Sequence, residues 1–256
     1  MIVHDRHGAI LEQLASRPRT RLASLERRLK ISRSTLRRDL MELEALGKVV
    51  RVRGGVLHSD QLHGETPYEL RRSHYASQKQ IIGKLAAEQV PTNATVYIDA
   101  GTTTMEAARH LLNRADLRIF TNSLRVIRRA LVSQSVAVVT SIGGSVKPTS
   151  EALVGAGAIG WLRDIRFDMA LMGASGLEAD GPTTTELIEA ELKRQVISRA
   201  KHVLLLADLS KWNSPSAVQF AAWDDVNQLI SESPPPLDWA RTLAAHSVKS
   251  IHGDRG

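Results

Sequence analysis

The chain has no cysteine. Disulfides, thiolate metal ligands and a cysteine nucleophile are therefore excluded. A cysteine-free composition fits a reducing compartment, and the cytoplasm is the expected location. The opening residues, Met1-Ile2-Val3-His4-Asp5-Arg6, hold no apolar core of signal-peptide length. No apolar run anywhere approaches the length needed to span a bilayer, so a soluble protein with no membrane partner is expected. No Ser-His-Asp set, metal-ligand spacing or nucleotide motif of useful specificity stands out, so neither a cofactor nor a metal is expected. Acidic excess is missing too, and the way it is missing is informative.

Residues 1–57 hold 13 Lys+Arg against 6 Asp+Glu, whereas residues 58–256 hold 21 of each. The whole formal charge of +7 thus belongs to the first fifth of the chain. A small basic module attached to a large neutral one suggests a nucleic-acid reader joined to a sensor or a catalyst. The length of 256 residues accommodates two domains with sizeable cores, and the 43% hydrophobic, 24% charged composition is that of a globular protein.

Within the basic module, Ile10, Leu11 and Leu14 form a one-sided stripe that predicts a helix over about 6–15, broken by Arg17-Pro18. Thr20-Arg21-Leu22 reads as a short extended piece. Leu25 and Leu29, at i, i+4 spacing, predict a second helix over about 23–29. Lys30-Ile31 turns the chain, and the Ser32 hydroxyl can accept from the free N–H groups of a new first turn. The third helix is expected to run to Leu46, with Leu36, Leu40, Leu43 and Leu46 on one side and Gly47 as a left-handed stop. Its other face carries Arg33, Ser34, Thr35, Arg37 and Arg38 near the N-terminal end, the end a recognition helix inserts into the major groove. Arginine there can fork onto guanine or hold phosphate, while the hydroxyls can meet base edges or backbone. From Lys48 to Leu57, alternation around a Gly54-Gly55 pair predicts a two-stranded wing that presents Arg51 and Arg53 on one face.

An arginine-rich helix face is more often solvated surface than a DNA reader. Three short helices, a Ser-capped third helix and a basic hairpin, all carrying the chain's surplus charge, tip the balance toward DNA. Residues 6–57 also resemble the winged helix-turn-helix of DeoR-type bacterial transcription regulators. The resemblance rests on Ile31-Ser32-Arg33-Ser34-Thr35-Leu36-Arg37-Arg38-Asp39-Leu40, then Leu43-Glu44-Ala45-Leu46-Gly47, then Arg53-Gly54-Gly55. Two positions depart from it. Glu26 stands where the family usually has a small Ala, and Lys30 stands at a turn often occupied by Gly. Glu26 is expected to tilt outward or to pair with a neighbouring Arg.

Residues 58–75 are polar, with Gly64 and Pro67 as breakers, and read as a linker. His58, His63 and His74 lack a second ligand set at useful spacing, so a solvated segment is favoured over a metal site. Glu65-Thr66-Pro67-Tyr68-Glu69-Leu70-Arg71 resembles the family's inter-domain segment, and a helix over about 77–89 follows. From Thr95 apolar strands alternate with helical stretches. Strands are expected at 96–98, 118–120, 136–139, 169–172, 203–206 and 226–230, and helices at 104–112, 124–132, 158–162 and 186–200. This is the pattern of a mostly parallel sheet covered by helices. The expected division is a winged helix-turn-helix DNA-binding domain at 1–57, a linker at 58–75, and an α/β effector-binding and oligomerisation domain at 76–256.

In such sheets ligands bind beyond the carboxyl ends of the strands. Glycines, hydroxyls and a cation collect there: Asp99-Ala100-Gly101-Thr102-Thr103-Thr104, Thr121-Asn122-Ser123, Ser141-Ile142-Gly143-Gly144, Gly173-Ala174-Ser175-Gly176 and Asp208-Leu209-Ser210-Lys211. Each loop alone reads as an ordinary turn. Together, around one sheet edge, they favour a pocket for a small phosphorylated polyol.

The resemblance continues through Asp99 to Thr103, Thr121-Asn122-Ser123, Gly143-Gly144, Gly155, Gly173 with Gly176, and Asp208 to Lys211, which look like the effector domain of the same regulators. That domain is similar in fold to ribose-5-phosphate isomerase. The resemblance implies that Gly101, Thr102, Thr103 and Lys211 help hold a phosphate, with Asp99 near sugar hydroxyls. A homo-oligomer, dimer or tetramer, is expected because operators commonly present repeated half-sites, with double-stranded operator DNA as partner. The tail departs: Ile230-Ser231-Glu232 replaces a frequent Thr-Asp, and Ser233-Pro234-Pro235-Pro236 precedes a helix expected over 237–246.

The function this supports is sequence-specific DNA binding by a regulator, a repressor of a carbohydrate operon, with affinity set by a phosphorylated sugar. The alternative is a sugar-phosphate isomerase or hydrolase carrying a basic domain, with Asp99 or Asp208 as base and Lys211 as electrophile or phosphate clamp. That alternative leaves the basic module without a purpose, and no catalytic residue is assigned. A basic architectural DNA binder is a third reading, against which the pocket-like strand ends argue.

Overall fold

Ile10, Leu14, Leu25, Leu36, Leu40, Leu43, Val49 and Val56 lie far apart in sequence, yet they form one buried cluster. The computed structural model, which describes residues 3–15, 20–45, 48–52, 55–58, 66–212 and 214–253, folds as two compact units, Met1–His74 and Tyr75–Gly256. The cluster is the core of the first. Three helices supply most of it: α1 (Val3–Ala15), α2 (Leu22–Leu29) and α3 (Arg33–Ala45). Leu25 is fully buried on α2, whereas Leu29 is only partly buried against the cluster. Ser32 caps α3 as the sequence suggests, accepting from the Thr35 N–H at 3.2 Å. The breaker Arg17-Pro18 and the stop Gly47 lie outside the described residues.

The wing is an antiparallel pair, β1 (Val49–Val52) and β2 (Gly55–His58), with Val50 opposite Leu57 and Val52 opposite Gly55. Thr20 joins it by a bridge to Val56, donating to the Val56 carbonyl at 3.1 Å and accepting from its N–H at 2.9 Å. The extended piece expected at 20–22 is therefore Thr20 and Arg21, the latter extended at φ -69° and ψ 141°, and α2 begins at Leu22. Gly55 is required by this approach, since a Cβ there would sit 2.6 Å from the Thr20 carbonyl oxygen. Within the segment 58–75, Tyr68–Ser73 forms a further helix, α4, whose Tyr68 is buried and which contacts β1. His74 lies 3.6 Å from Glu44 of α3.

The second unit is built on a seven-stranded, all-parallel sheet. Its strands are β3 (Thr95–Ile98), β4 (Arg118–Thr121), β5 (Val138–Ser141), β8 (Phe167–Gly173), β11 (Ala200–Leu206), β13 (Gln228–Ser231) and β14 (Lys249–His252), in the order β14-β13-β11-β8-β3-β4-β5. Strands buried on both faces should read as unbroken apolar runs. Met169-Ala170-Leu171-Met172 and Val203-Leu204-Leu205-Leu206 do so, their side chains alternating between two separate cores. One core holds Ala170, Met172, Val203 and Leu205 with Leu192 and Val196 of α9 (Leu187–Ile197) and Leu243 of α10 (Leu237–Ala245). The other holds Met169, Leu171, Leu204 and Leu206 with Ile82 of α5 (Ala76–Glu88), Leu111 of α6 (Thr102–Leu111) and Val126 of α7 (Leu124–Val132).

Several boundaries differ from the expectation. The strand expected at 136–139 begins at Val138, because the N–H groups of Val136 and Ala137 turn back to the Leu112 carbonyl at 3.2 and 3.4 Å. The helix expected at 186–200 is shorter: Glu186 is the extended N-cap of α9, and Ala200 already pairs with Phe167 in the sheet. Strand β14 extends the sheet beyond the expected six. A hairpin of β6 (Ser145–Lys147) and β7 (Ala152–Val154), the helix α8 (Ala156–Leu162), and a small antiparallel sheet complete the unit. That small sheet orders β12 (Val218–Gln219), β10 (Gly181–Thr184) and β9 (Gly176–Glu178). Among the described residues no helix is long and apolar enough to cross a membrane.

Candidate functional sites

The first site is the N-terminal end of α3. Arg33, Ser34, Arg37 and Arg38 are exposed, with Thr35 half-buried. The Ser32 hydroxyl lies 2.9 Å from both the Ser34 and the Thr35 hydroxyls, so a small hydroxyl network braces the helix start between the arginines. Arg51 lies on β1, and nothing is described of its side chain; Arg53 lies outside the described residues. The helix is fixed from behind by a residue that the sequence pattern alone would place with the basic cluster. Asp39 is buried, and Arg6 of α1 grips both its oxygens at 2.8 Å. The Arg6 guanidinium holds the Asp39 carboxyl below the usual carboxylate range. His7 Nε2 lies 3.7 Å from Asp39 and 3.4 Å from Glu42. These three could in principle hold a metal ion, but the Asp39 carboxylate is already satisfied by Arg6. Glu26 does pair with a neighbouring arginine: its Oε1 lies 3.8 Å from the Arg33 Nε.

The second site lies at the carboxyl ends of the strands of the second unit. Asp99, just after β3, is buried and its carboxylate accepts from the Gly173 N–H at 3.1 Å, at the end of β8. The same oxygen forms an ion pair with Lys193 of α9. The Lys193 ammonium also donates to the Gly173 carbonyl at 2.8 Å and lies 4.9 Å from the centre of the Phe220 ring. Asp99, Gly101 and Gly173 are thus brought together, a Cβ on Gly173 falling within 4.0 Å of all three of Asp99, Thr104 and Gly101. The Thr104 hydroxyl locks the loop by donating to the Asp99 carbonyl at 2.6 Å and accepting from the Gly101 N–H at 2.9 Å. Thr102 and Thr103 open α6 and are buried.

Thr121 and Ser123 are buried and engaged in holding the backbone. Thr121 donates to the Ile98 carbonyl at 2.6 Å, and Ser123 caps α7. Asn122 uses its amide nitrogen on the Leu153 carbonyl at 3.3 Å, while its buried Oδ1 has no hydrogen-bond partner among the described residues. Gly143 and Gly144 follow β5 with φ of +70° and +112°; a Cβ on Gly144 would lie 2.7 Å from the Val154 carbonyl oxygen. They therefore serve the packing of β7 and α8, and Trp161 lies over Gly143. Lys211 sits in a short 3-10 turn, Leu209–Lys211, capped by Asp208. It follows β11, which β8 separates from β3. Glu232, the departure in the tail, accepts from the Leu209 N–H at 3.2 Å and so braces the turn that carries Lys211. Burial pushes the Glu232 carboxyl up, and neighbouring Asp208 adds to it.

Sequence reasoning missed Lys193. Its signal was present: Ala190, Lys193 and Val196 recur at intervals of three, so this lysine falls within the apolar stripe of α9. One turn earlier Glu189 is held by Lys147 at 2.8 Å, Ser150 at 2.9 Å and Thr184 at 3.1 Å. Burial raises the Glu189 carboxyl, but Lys147 and Lys193 outweigh it and leave it below its ordinary value. A chain of alternating charges thus runs Asp99, Lys193, Glu189, Lys147.

A helix-turn-helix with a basic, Ser-capped third helix, joined to an α/β unit with buried charge at its strand ends, defines a DNA-binding transcription regulator with a sensor domain. Residues 6–61 match the DeoR-like helix-turn-helix domain and residues 74–233 match the DeoR C terminal sensor domain. The chain belongs to the DeoR family of transcription regulators. It is 29% identical to the glycerol-3-phosphate regulon repressor of Escherichia coli (strain K12), over 96% of this chain and 97% of that protein. It is 32% identical to the transcriptional repressor GlcR of Bacillus subtilis (strain 168), over 98% of this chain and 96% of that one. Ribose 5 phosphate isomerase A from Neisseria gonorrhoeae is a structural neighbour at 17% identity and TM-score 0.39, over 55% of this chain and 54% of that one. Whole-length similarity to regulators supports the regulator reading and not the isomerase alternative.

Proposed function

We propose that this regulator binds an operator through α3 and the wing, and that a small phosphorylated sugar bound at the strand ends of the second unit alters its affinity for DNA. Arg33, Arg37 and Arg38, with Ser34 and Thr35, are the α3 residues assigned to DNA, and Arg51 and Arg53 the wing residues. Asp99, Gly101, Thr102, Thr103, Asn122, Gly173 and Lys211 are assigned to the effector, with Thr121, Ser123, Gly143 and Gly144 shaping the loops around them. Lys193 joins this set.

The observation that carries the sensing half is the buried Asp99–Lys193 pair. A buried ion pair contributes little net stability compared with apolar packing of the same volume. Placed where parallel sheets bind ligands, it offers both an acceptor for hydroxyls and a cation for an anionic group. The relatives' names, which include a glycerol-3-phosphate regulon repressor, support a phosphorylated polyol and a repressing role. Control then requires that the effector bind two states of the protein with different affinity. A homo-oligomer in the cytoplasm suits repeated half-sites in an operator. Isothermal titration of the full-length chain with a series of sugar phosphates tests the sensing half. Saturable binding by wild type, lost in Lys193→Met, is expected; equal heats from both proteins would refute the assignment.

A further inference from the structure

Glu26 is an acid in the middle of a module whose surplus charge is positive. Its side chain is 24% exposed and lines a groove between α2 and α3 together with Leu22, Leu36, Arg33 and Arg37. Its Oε1 is shielded from solvent and, among the described residues, accepts no hydrogen bond. A shielded carboxylate oxygen left without a hydrogen bond is a cost to folding. Its ion-pair partner is Arg33, the first residue of α3, through Nε at 3.8 Å. The Arg33 side chain is otherwise 85% exposed.

We infer that Glu26 is a positioning residue for base recognition, holding Arg33 at the mouth of the helix-turn-helix elbow so that its outer guanidinium nitrogens meet a base edge in one fixed pose. The inference rests on the proposal that α3 reads DNA. An exposed arginine at a helix start samples many rotamers and grips phosphates without regard to sequence. A carboxylate behind Nε restricts that sampling and leaves the two terminal nitrogens as the free fork, which is the arrangement guanine recognises. The same negative charge opposes indiscriminate contact with phosphate. Selectivity is thereby raised while affinity for arbitrary DNA is lowered.

The test uses the full-length chain and two duplexes: the one that wild type enriches from a random-sequence pool, and its scrambled counterpart. Dissociation constants are measured at fixed salt for wild type, Glu26→Ala, Glu26→Gln, Arg33→Ala and Glu26→Ala/Arg33→Ala, each checked by thermal melting. Glu26→Ala and Glu26→Gln are expected to bind the scrambled duplex more tightly and to lose discrimination on the order of tenfold, about the worth of one forked base contact. They should melt no lower than wild type, and the double variant should discriminate no worse than Arg33→Ala alone. Equal changes on both duplexes would reduce Glu26 to a bulk charge, and additive losses in the double variant would show that it acts apart from Arg33; either overturns the inference alone. A wild type that enriches no sequence overturns the DNA-reading proposal, and this inference with it.

Discussion

Arg6 and Asp39, 33 residues apart, close a two-pronged ion pair at 2.8 Å on each prong, tying α1 to the middle of α3. Asp39 follows Arg37 and Arg38 in sequence but faces the opposite way, into the core side of the helix. Helix α3 is therefore held in place by a charge, and the tie has a definite pH dependence. The Asp39 carboxyl is lowered in the fold, chiefly by the Arg6 hydrogen bond. A carboxyl lowered on folding contributes stability that is complete above its unfolded value and is lost as pH falls through its folded value. Melting of the N-terminal unit should thus weaken on acidification below the ordinary carboxylate range. Asp39→Asn should melt lower than wild type at neutral pH, with a shallower acid limb; parallel acid limbs would contradict the role of the pair.

Lys30 ends α2 in the left-handed conformation, φ 52° and ψ 40°, where glycine is the favoured residue. Lys30→Gly removes the Cβ clash but adds freedom to the unfolded chain, so a net gain of about 0.5–1 kcal/mol is expected. Thermal denaturation of the N-terminal unit checks it.

Arg37 is exposed and, among the described residues, has no partner in the core. If it reads a base, Arg37→Ala should cost on the order of 1–3 kcal/mol on the selected duplex and relax selectivity there. Equal losses on selected and scrambled DNA would make it a phosphate contact instead.

Lys193→Met leaves the buried Asp99 carboxylate without its cation and should destabilise the second unit by about 3–5 kcal/mol. Pairing it with Asp99→Leu should recover part of that loss, since two apolar groups replace two charges while the Gly173 N–H loses its acceptor. Lys211→Ala, by contrast, should leave operator binding intact and blunt the effector response; an unchanged response at the same ligand concentration would remove Lys211 from the site.

Periodicity made most of the second unit readable. Strands covered on both faces, such as β8 and β11, are continuous apolar runs, and their helices follow the 3.6-residue stripe. The edges were less legible. Lys249-Ser250-Ile251-His252 is too polar to announce a strand, and it becomes one because β13 offers a free edge. The hairpin of β6 and β7 is likewise set by tertiary contact, through Lys147 and Glu189. In the site, glycine and hydroxyl loops marked the strand ends, but which hydroxyls are taken up by the backbone, as at Thr121 and Ser123, depends on neighbouring strands. Arg6–Asp39 and Asp99–Lys193 span 33 and 94 residues, and no local pattern encodes such pairs.

The measurement that bears most directly on the central claim is fluorescence anisotropy of the full-length chain on its selected duplex and on a scrambled control, at fixed salt, with and without a pool of sugar phosphates. The account predicts a clear preference for the selected duplex and a shift in that affinity when the pool is added. A preference that no sugar phosphate alters would contradict the sensing half, and the absence of any preference would contradict the whole.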